Sequence, residues 1–230
     1  MKKIINSLVL LCLTLNAIGQ AKSKPVAVST KTVQAEPEVL TSKYSENDIY
    51  KVQNITFYGF DFSKFHLSDP KRMGQDLKNH MLSLYGFLTD HLTEKKFKKW
   101  LKKDAIAYSL NATLAENKKI SNEEMITPVK VTISKDSLQS MIKRYSINEK
   151  DGIGYVIIYE CFDNDSKRVS AYSVFFDIAT KKILKTEYCS KRDGNSYNRM
   201  ADWNPVAFAV IKELTEIYQD KKEATATLSN

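Results

Sequence analysis

Three β-type runs follow one another between Gly152 and Cys189, and any fold of this chain must place them side by side. Residues 155–162 (YVIIYECF), 170–178 (SAYSVFFDI) and 182–189 (KILKTEYC) are rich in β-branched and aromatic residues. Turn chemistry separates them, Asp163-Asn164-Asp165-Ser166 and then Ala179-Thr180-Lys181. The reading is an antiparallel meander. Side chains along a strand alternate with period two. If Tyr172, Val174, Phe176 and Ile178 face the helices, Ala171, Ser173, Phe175 and Asp177 face away, and Tyr145, Leu214 and Ile217 are expected against the inward set.

The N-terminus carries an address. Lys2 and Lys3 precede an apolar run over residues 4–15, broken by Asn6 and Ser7, and Ala17-Ile18-Gly19 supplies a small-residue cleavage pattern. Residues 1–19 read as a secretory signal peptide, which places the protein in the periplasm or at the cell surface. The run is shorter than the roughly 20 apolar residues of a membrane span, and no later stretch reaches that length. A lipid anchor would need a cysteine just after the small residues, whereas Cys12 lies inside the run. Loss of two lysines with the signal peptide takes the formal charge from +8 to +6. That balance permits association with anionic surfaces, and an extracytoplasmic address argues against nucleic acid.

Cys161 and Cys189 fall on the first and third runs of the meander. A strand between them implies a separation of about 9 to 10 Å. Bridged Cα atoms lie within about 7 Å, so two buried thiols are expected rather than a disulfide.

Residues 20–48 are dominated by Ser, Thr, Lys, Glu, Pro and Ala and read as a flexible linker. Residues 49–220 read as one domain and 221–230 as a frayed polar tail. A first strand is expected over 50–62, a helix from Asp69-Pro70 to about His91 with a possible break at Gly86, and a short helix over 94–103. A strand over 106–110, a polar loop over 116–124 and a strand over 129–133 follow. Ser134 caps a further helix, and Asn204-Pro205 opens the last one, with an apolar stripe from Ala207 to Tyr218. The fold class is α+β, a two-layer sandwich with a mostly antiparallel sheet and amphipathic helices on one face.

The stretches ITFYGFDFSKF, GIGYVIIYECFD and VFFDIATKKIL resemble those of a family of small secreted proteins of uncharacterised function from Bacteroidetes-type bacteria, over about residues 52–218. That resemblance implies a secreted α+β domain and offers no activity to carry over. Where such proteins carry an Asn-Tyr-Trp element before the last helix, this chain has GNSYNRMADWNP.

Little in the chain points to catalysis. His66, His80 and His91 are its only histidines. His80 and His91 on one helix would stand about 16 Å apart at 1.5 Å rise per residue, too far to share a metal. The lysine-rich run EKKFKKWLKKD places Phe97, Trp100 and Leu101 at i, i+3 and i+4, the spacing of a helix docked on a core. Gly152-Ile153-Gly154 precedes a strand instead of following one, which makes it a turn and not a dinucleotide fingerprint. No cofactor motif occurs.

The loop over 190–204 is the candidate binding element. It brings Lys191, Arg192 and Arg199 together with Tyr197 and Trp203 ahead of a helix N-terminus, a composition suited to a weak anionic ligand. A solvated connection with Trp203 as a core plug is the plainer alternative. The functional expectation is a non-enzymatic interaction or ligand-binding domain of the cell envelope, whose partner is an envelope protein or an anionic glycan or lipid headgroup. The alternative is an extracytoplasmic hydrolase with a site assembled from distant residues.

Overall fold

In the computed structural model, which describes residues 41–68, 76–127, 131–192 and 200–228, the strand Ile153–Asp163 is buried at every position up to Phe162. A strand buried on both faces reads as a continuous apolar run, and IGYVIIYECF fits. It is β4, the central member of a six-stranded sheet. The others are β1 (Asn54–Asp61), β2 (His66–Ser68), β3 (Ala105–Tyr108), β5 (Arg168–Asp177) and β6 (Ile183–Arg192). The order is β3-β1-β4-β5-β6, and β2 also pairs with β4.

The meander forms as expected, with β4–β5 and β5–β6 antiparallel. The remaining pairings, β1–β3, β1–β4 and β2–β4, are parallel. The sheet is therefore mixed rather than mostly antiparallel. The chain between β1 and its parallel partners is long enough to cross over, and it holds α2 (Leu77–His91), α3 (Glu94–Leu101), α4 (Asn111–Asn117), α5 (Asn122–Met125) and α6 (Lys135–Arg144). Strand periodicity carries no information about direction. The fold is completed by α1 (Asp48–Lys51) and α7 (Asn204–Leu228).

The two faces of the sheet build two cores. Tyr155, Ile157 and Tyr159 of β4 and Ala171 and Phe175 of β5 join the helical residues Leu84, Leu88, Phe97, Val210, Ile211 and Leu214. The alternate residues Val156, Ile158, Val174, Phe176 and Ile178 join Leu138, Met141, Ile142 and Tyr145 around α6. The period-two reading of β5 holds, but helices cover both of its faces. Tyr145 meets the Val174–Phe176 set, whereas Leu214 and Ile217 meet the other, and Ser173 and Asp177 are as buried as their neighbours. The expected single helical layer misses α6. A one-sided stripe on a helix does not say which face of a doubly covered sheet it meets.

Gly154 pairs with Phe176 across β4 and β5, and a Cβ there would overlap the Phe176 ring. Gly59 sits at φ +93° beside the register shift of β1, against the Tyr85 hydroxyl and Thr113. At φ +112°, Gly152 makes the turn into β4.

Other expectations need correction. The helix α2 passes through Gly86 unbroken but begins only at Leu77, after a non-helical Asp76, so no single helix runs from Pro70 to His91; the proposed cap at Asp69-Pro70 lies outside the described residues. The stretch 116–124 read as a polar loop takes in the end of α4 and most of α5, and these two helices bury Ala112, Thr113, Asn117 and Met125. Residues 131–133 are not a strand; the Ile133 N–H donates instead to Glu160 Oε1 at 2.9 Å. The tail read as frayed continues α7 to Leu228, with Lys221 paired to Glu187 and Lys102 to Glu223.

The end of the expected linker is docked. Ser42 Oγ and Lys43 N–H donate to Asp177 Oδ2 at 2.7 and 3.1 Å, and Ile49 and Tyr50 are buried. Residues 1–40, which include the expected signal peptide and most of the expected linker, lie outside the described residues. Among the described residues no helix is long and apolar enough to cross a membrane.

Candidate functional site

The β4–β5 ladder shifts register between Tyr159 and Cys161. Glu160 follows Val156 and Ile158 in the period-two alternation, so its fully buried carboxyl lies on the α6 side of the sheet, whereas beyond the bulge Phe162 joins the opposite core. Four donors surround the carboxyl. Oε1 accepts the Ile133 N–H at 2.9 Å and the Tyr172 hydroxyl at 3.2 Å; Oε2 accepts Ser170 at 2.9 Å and Tyr188 at 3.1 Å. Burial, and then the nearby Glu160, push both tyrosine pKa values up, so the phenols remain donors. The Tyr172 and Tyr188 rings are cross-strand partners 4.9 Å apart, and Tyr188 is 43% exposed.

Moving along the same face, the next cross-strand pairs are Ser170 with Ser190 and Arg168 with Arg192. Both arginines are exposed. The Arg168 guanidinium is fixed by bonds from Nε to Ser190 Oγ at 3.1 Å and from Nη2 to Ser190 O at 3.2 Å. Like charges directly opposite each other on a sheet are destabilising. Among the described residues no carboxylate forms an ion pair with either arginine. Asp163, the β4 partner of Arg168, is occupied by Ser68, Ser166 and the backbone of the β4–β5 turn. Two guanidinium groups, two serine hydroxyls and the rim of two tyrosines thus share one strip of sheet.

The expected site residues are divided by this geometry. Arg192 belongs to the strip. Lys191, one position earlier, points to the opposite face and binds Glu213 on α7 at 2.8 Å, which raises its pKa. Trp203 is fully buried and stacked on Phe162 with ring centroids 4.8 Å apart. It is a core residue. Tyr197 and Arg199 lie outside the described residues. Arg168, Ser170, Tyr172, Tyr188 and Ser190 were not foreseen as site residues. The one available signal was the alternation RVSAY against YCSKR, which places like side chains opposite each other once register is known.

Cys161 is the β2–β4 register partner of His66, a proximity invisible in the sequence. Burial first, then Lys64, lowers the His66 pKa, and Glu160 opposes them. A cysteine nucleophile needs an exposed thiolate, and Cys161 is only 4% exposed. Cys189 is likewise a buried thiol, with its pKa pushed up by burial to about 11. Among the described residues no cluster of three or more His, Cys, Asp or Glu is arranged to hold a metal ion.

The chain matches no model of a known protein family, and no curated protein matches it.

Proposed function

We propose that this chain is an exported, non-enzymatic ligand-binding domain of the cell envelope, and that the strip around Arg168 and Arg192 binds an oxyanion. The carrying observation is the cross-strand arginine pair flanked by Ser170 and Ser190, with no ion-paired carboxylate among the described residues. An anion between two guanidinium groups relieves their repulsion and gains charge-assisted hydrogen bonds. The exposed face of Tyr188 suits a sugar or acyl chain carrying that anion. The export reading rests on Lys2, Lys3 and the apolar run that follows them. Resemblance to secreted proteins of Bacteroidetes-type bacteria supports it.

The ligand chemistry is a carboxylate or phosphate, which an acidic glycan and a lipid headgroup both provide. Titration with polygalacturonate and co-sedimentation with phosphatidylglycerol vesicles separate the two sources. The expected result is binding of one probe that falls at least tenfold in an Arg168→Ala, Arg192→Ala double variant and weakens as salt rises. Equal binding of both probes by variant and parent overturns the assignment.

A further inference from the structure

An edge strand presents alternate backbone N–H and C=O groups to whatever lies beside it. This protein closes such stretches with side-chain amides and a hydroxyl. On β1, Asn117 Nδ2 donates to Phe60 O at 2.8 Å, Asn117 Oδ1 accepts the Phe62 N–H at 2.7 Å, and Thr113 Oγ1 donates to Tyr58 O at 2.5 Å. At the start of β6, Gln139 Nε2 donates to Lys181 O in the preceding turn at 2.8 Å and its Oε1 accepts the Ile183 N–H at 3.1 Å. A carbonyl and the N–H two residues later are what one residue of a neighbouring strand satisfies. Gln139 therefore stands where a further strand beside β6 would begin.

Beyond that point the edge is left open among the described residues. Among the described residues, the one other side chain bonded to the β6 main chain is Arg168, at Ser190 O. Residues 183–187 of β6 line a cleft of about 510 Å³, bounded by Lys135, Asp136 and Gln139 of α6 and by Glu46 and Lys221. Lysines on an edge strand ordinarily block pairing. Here the Lys185 side chain is only 13% exposed and is ion-paired with Glu46, and Glu187 is paired with Lys221. Three lysines and three carboxylates line the cleft and balance, so it selects for neither a polyanion nor a polycation.

We propose that this cleft binds an extended polypeptide segment of another protein, which adds as a strand to β6 from Lys185 onward and continues the ladder that Gln139 starts. A single strand lies about 4.8 Å from its neighbour and fits between the flanking side chains. A second copy of this domain would bring its own helices against the same side chains. Main-chain pairing gives the affinity, and side chains alternating toward α6 and toward Glu46 and Lys221 give the selectivity. The site is separate from the arginine strip, which lies on the face of the other half of β6.

The test is selection from a random heptapeptide library displayed on phage, followed by synthesis of the enriched peptides with and without N-methylation at alternate amides. The expected result is binding that falls at least tenfold on N-methylation and at least threefold in an Asp136→Lys variant, but is unchanged in Arg168→Ala, Arg192→Ala. Those backbone amides of residues 185–189 that face away from β5 should gain protection from hydrogen exchange when the peptide binds. An absence of enriched peptides, indifference to N-methylation, or protection that maps elsewhere overturns the proposal. So does a concentration-dependent dimer in which those amides are already protected, because a second copy then holds the edge.

Discussion

Lys103 is a lysine buried among backbone carbonyls. It is 5% exposed, its Nζ lies 2.6 Å from Ile49 O and 2.5 Å from Val52 O, and the Tyr218 ring sits beneath it. Burial, aided by Lys222, lowers its pKa from about 10.5 to about 7. Below pH 7 the folded and unfolded states both hold the proton, and the full cost of a buried cation is present. Between pH 7 and 10.5 the folded state has released the proton while the unfolded chain keeps it, so stability rises with pH, by up to about 1.4 kcal/mol per unit. Cys189 opposes this above pH 9, since the unfolded thiol ionises there and the folded one only near pH 11. Urea midpoints should therefore increase from pH 7.5 to 9 in the parent and stay flat in Lys103→Met. A parallel rise in both proteins would remove Lys103 as the cause. Nothing around Lys103 in the sequence announced this, because its partners are carbonyls of a segment more than fifty residues away and carbonyls leave no sequence signal.

Elements show where local pattern was sufficient. The meander could be placed because its runs are long, β-branched and separated by turn residues, and α6 because Ser134 caps an i, i+3, i+4, i+7 stripe. Strand β2 has three residues and could not be seen; it exists because β4 extends beyond the end of β1 and leaves an edge to be filled. The helices α4 and α5 were hidden for a different reason. Their buried positions include Thr113 and Asn117, polar residues that serve the β1 edge and break any apolar stripe. In the candidate site, Arg192 could be read from its composition, while its partner Arg168 required the β5–β6 register. A prediction belongs at this scale. Gly154 lets the buried Phe176 ring lie flat over β4, and a methyl group there has nowhere to go. Gly154→Ala should destabilise by about 1 to 3 kcal/mol, as overpacking of a filled core does. Gly86, with open space around it, should gain stability on the same change. Paired chemical denaturation of the two variants tests the contrast.

At the scale of the whole molecule, the segment leading into the domain is part of its core. Ile49 is fully buried, Tyr50 packs against Tyr218, and the Ile49 carbonyl accepts from Lys103 and from the Tyr218 hydroxyl. Asp177 binds this segment through Oδ2 and the turn after β5 through Oδ1, which accepts the Ala179 and Thr180 N–H groups. A protein beginning at residue 52 should be less stable than one beginning at residue 41 by about 3 to 6 kcal/mol, the worth of two large buried side chains at 1.5 to 3 kcal/mol each. Calorimetry of the two forms would show it as a lower transition temperature, and identical transitions would mean that the docked segment contributes nothing. The central position of β4 has a further consequence, in time. A chain made from its N-terminus delivers β1 from Asn54 and its main partner only from Ile153. Until then residues 54–57 have β3 along one edge, Tyr58, Phe60 and Phe62 have only Thr113 and Asn117 there, and the edge that β4 will take is unfilled. The unit that can close locally, the hairpins of β4, β5 and β6 with α7, is the last to emerge. Folding must start at the end of the chain and capture its beginning afterwards, so the first strand made spends the longest time exposed to aggregation.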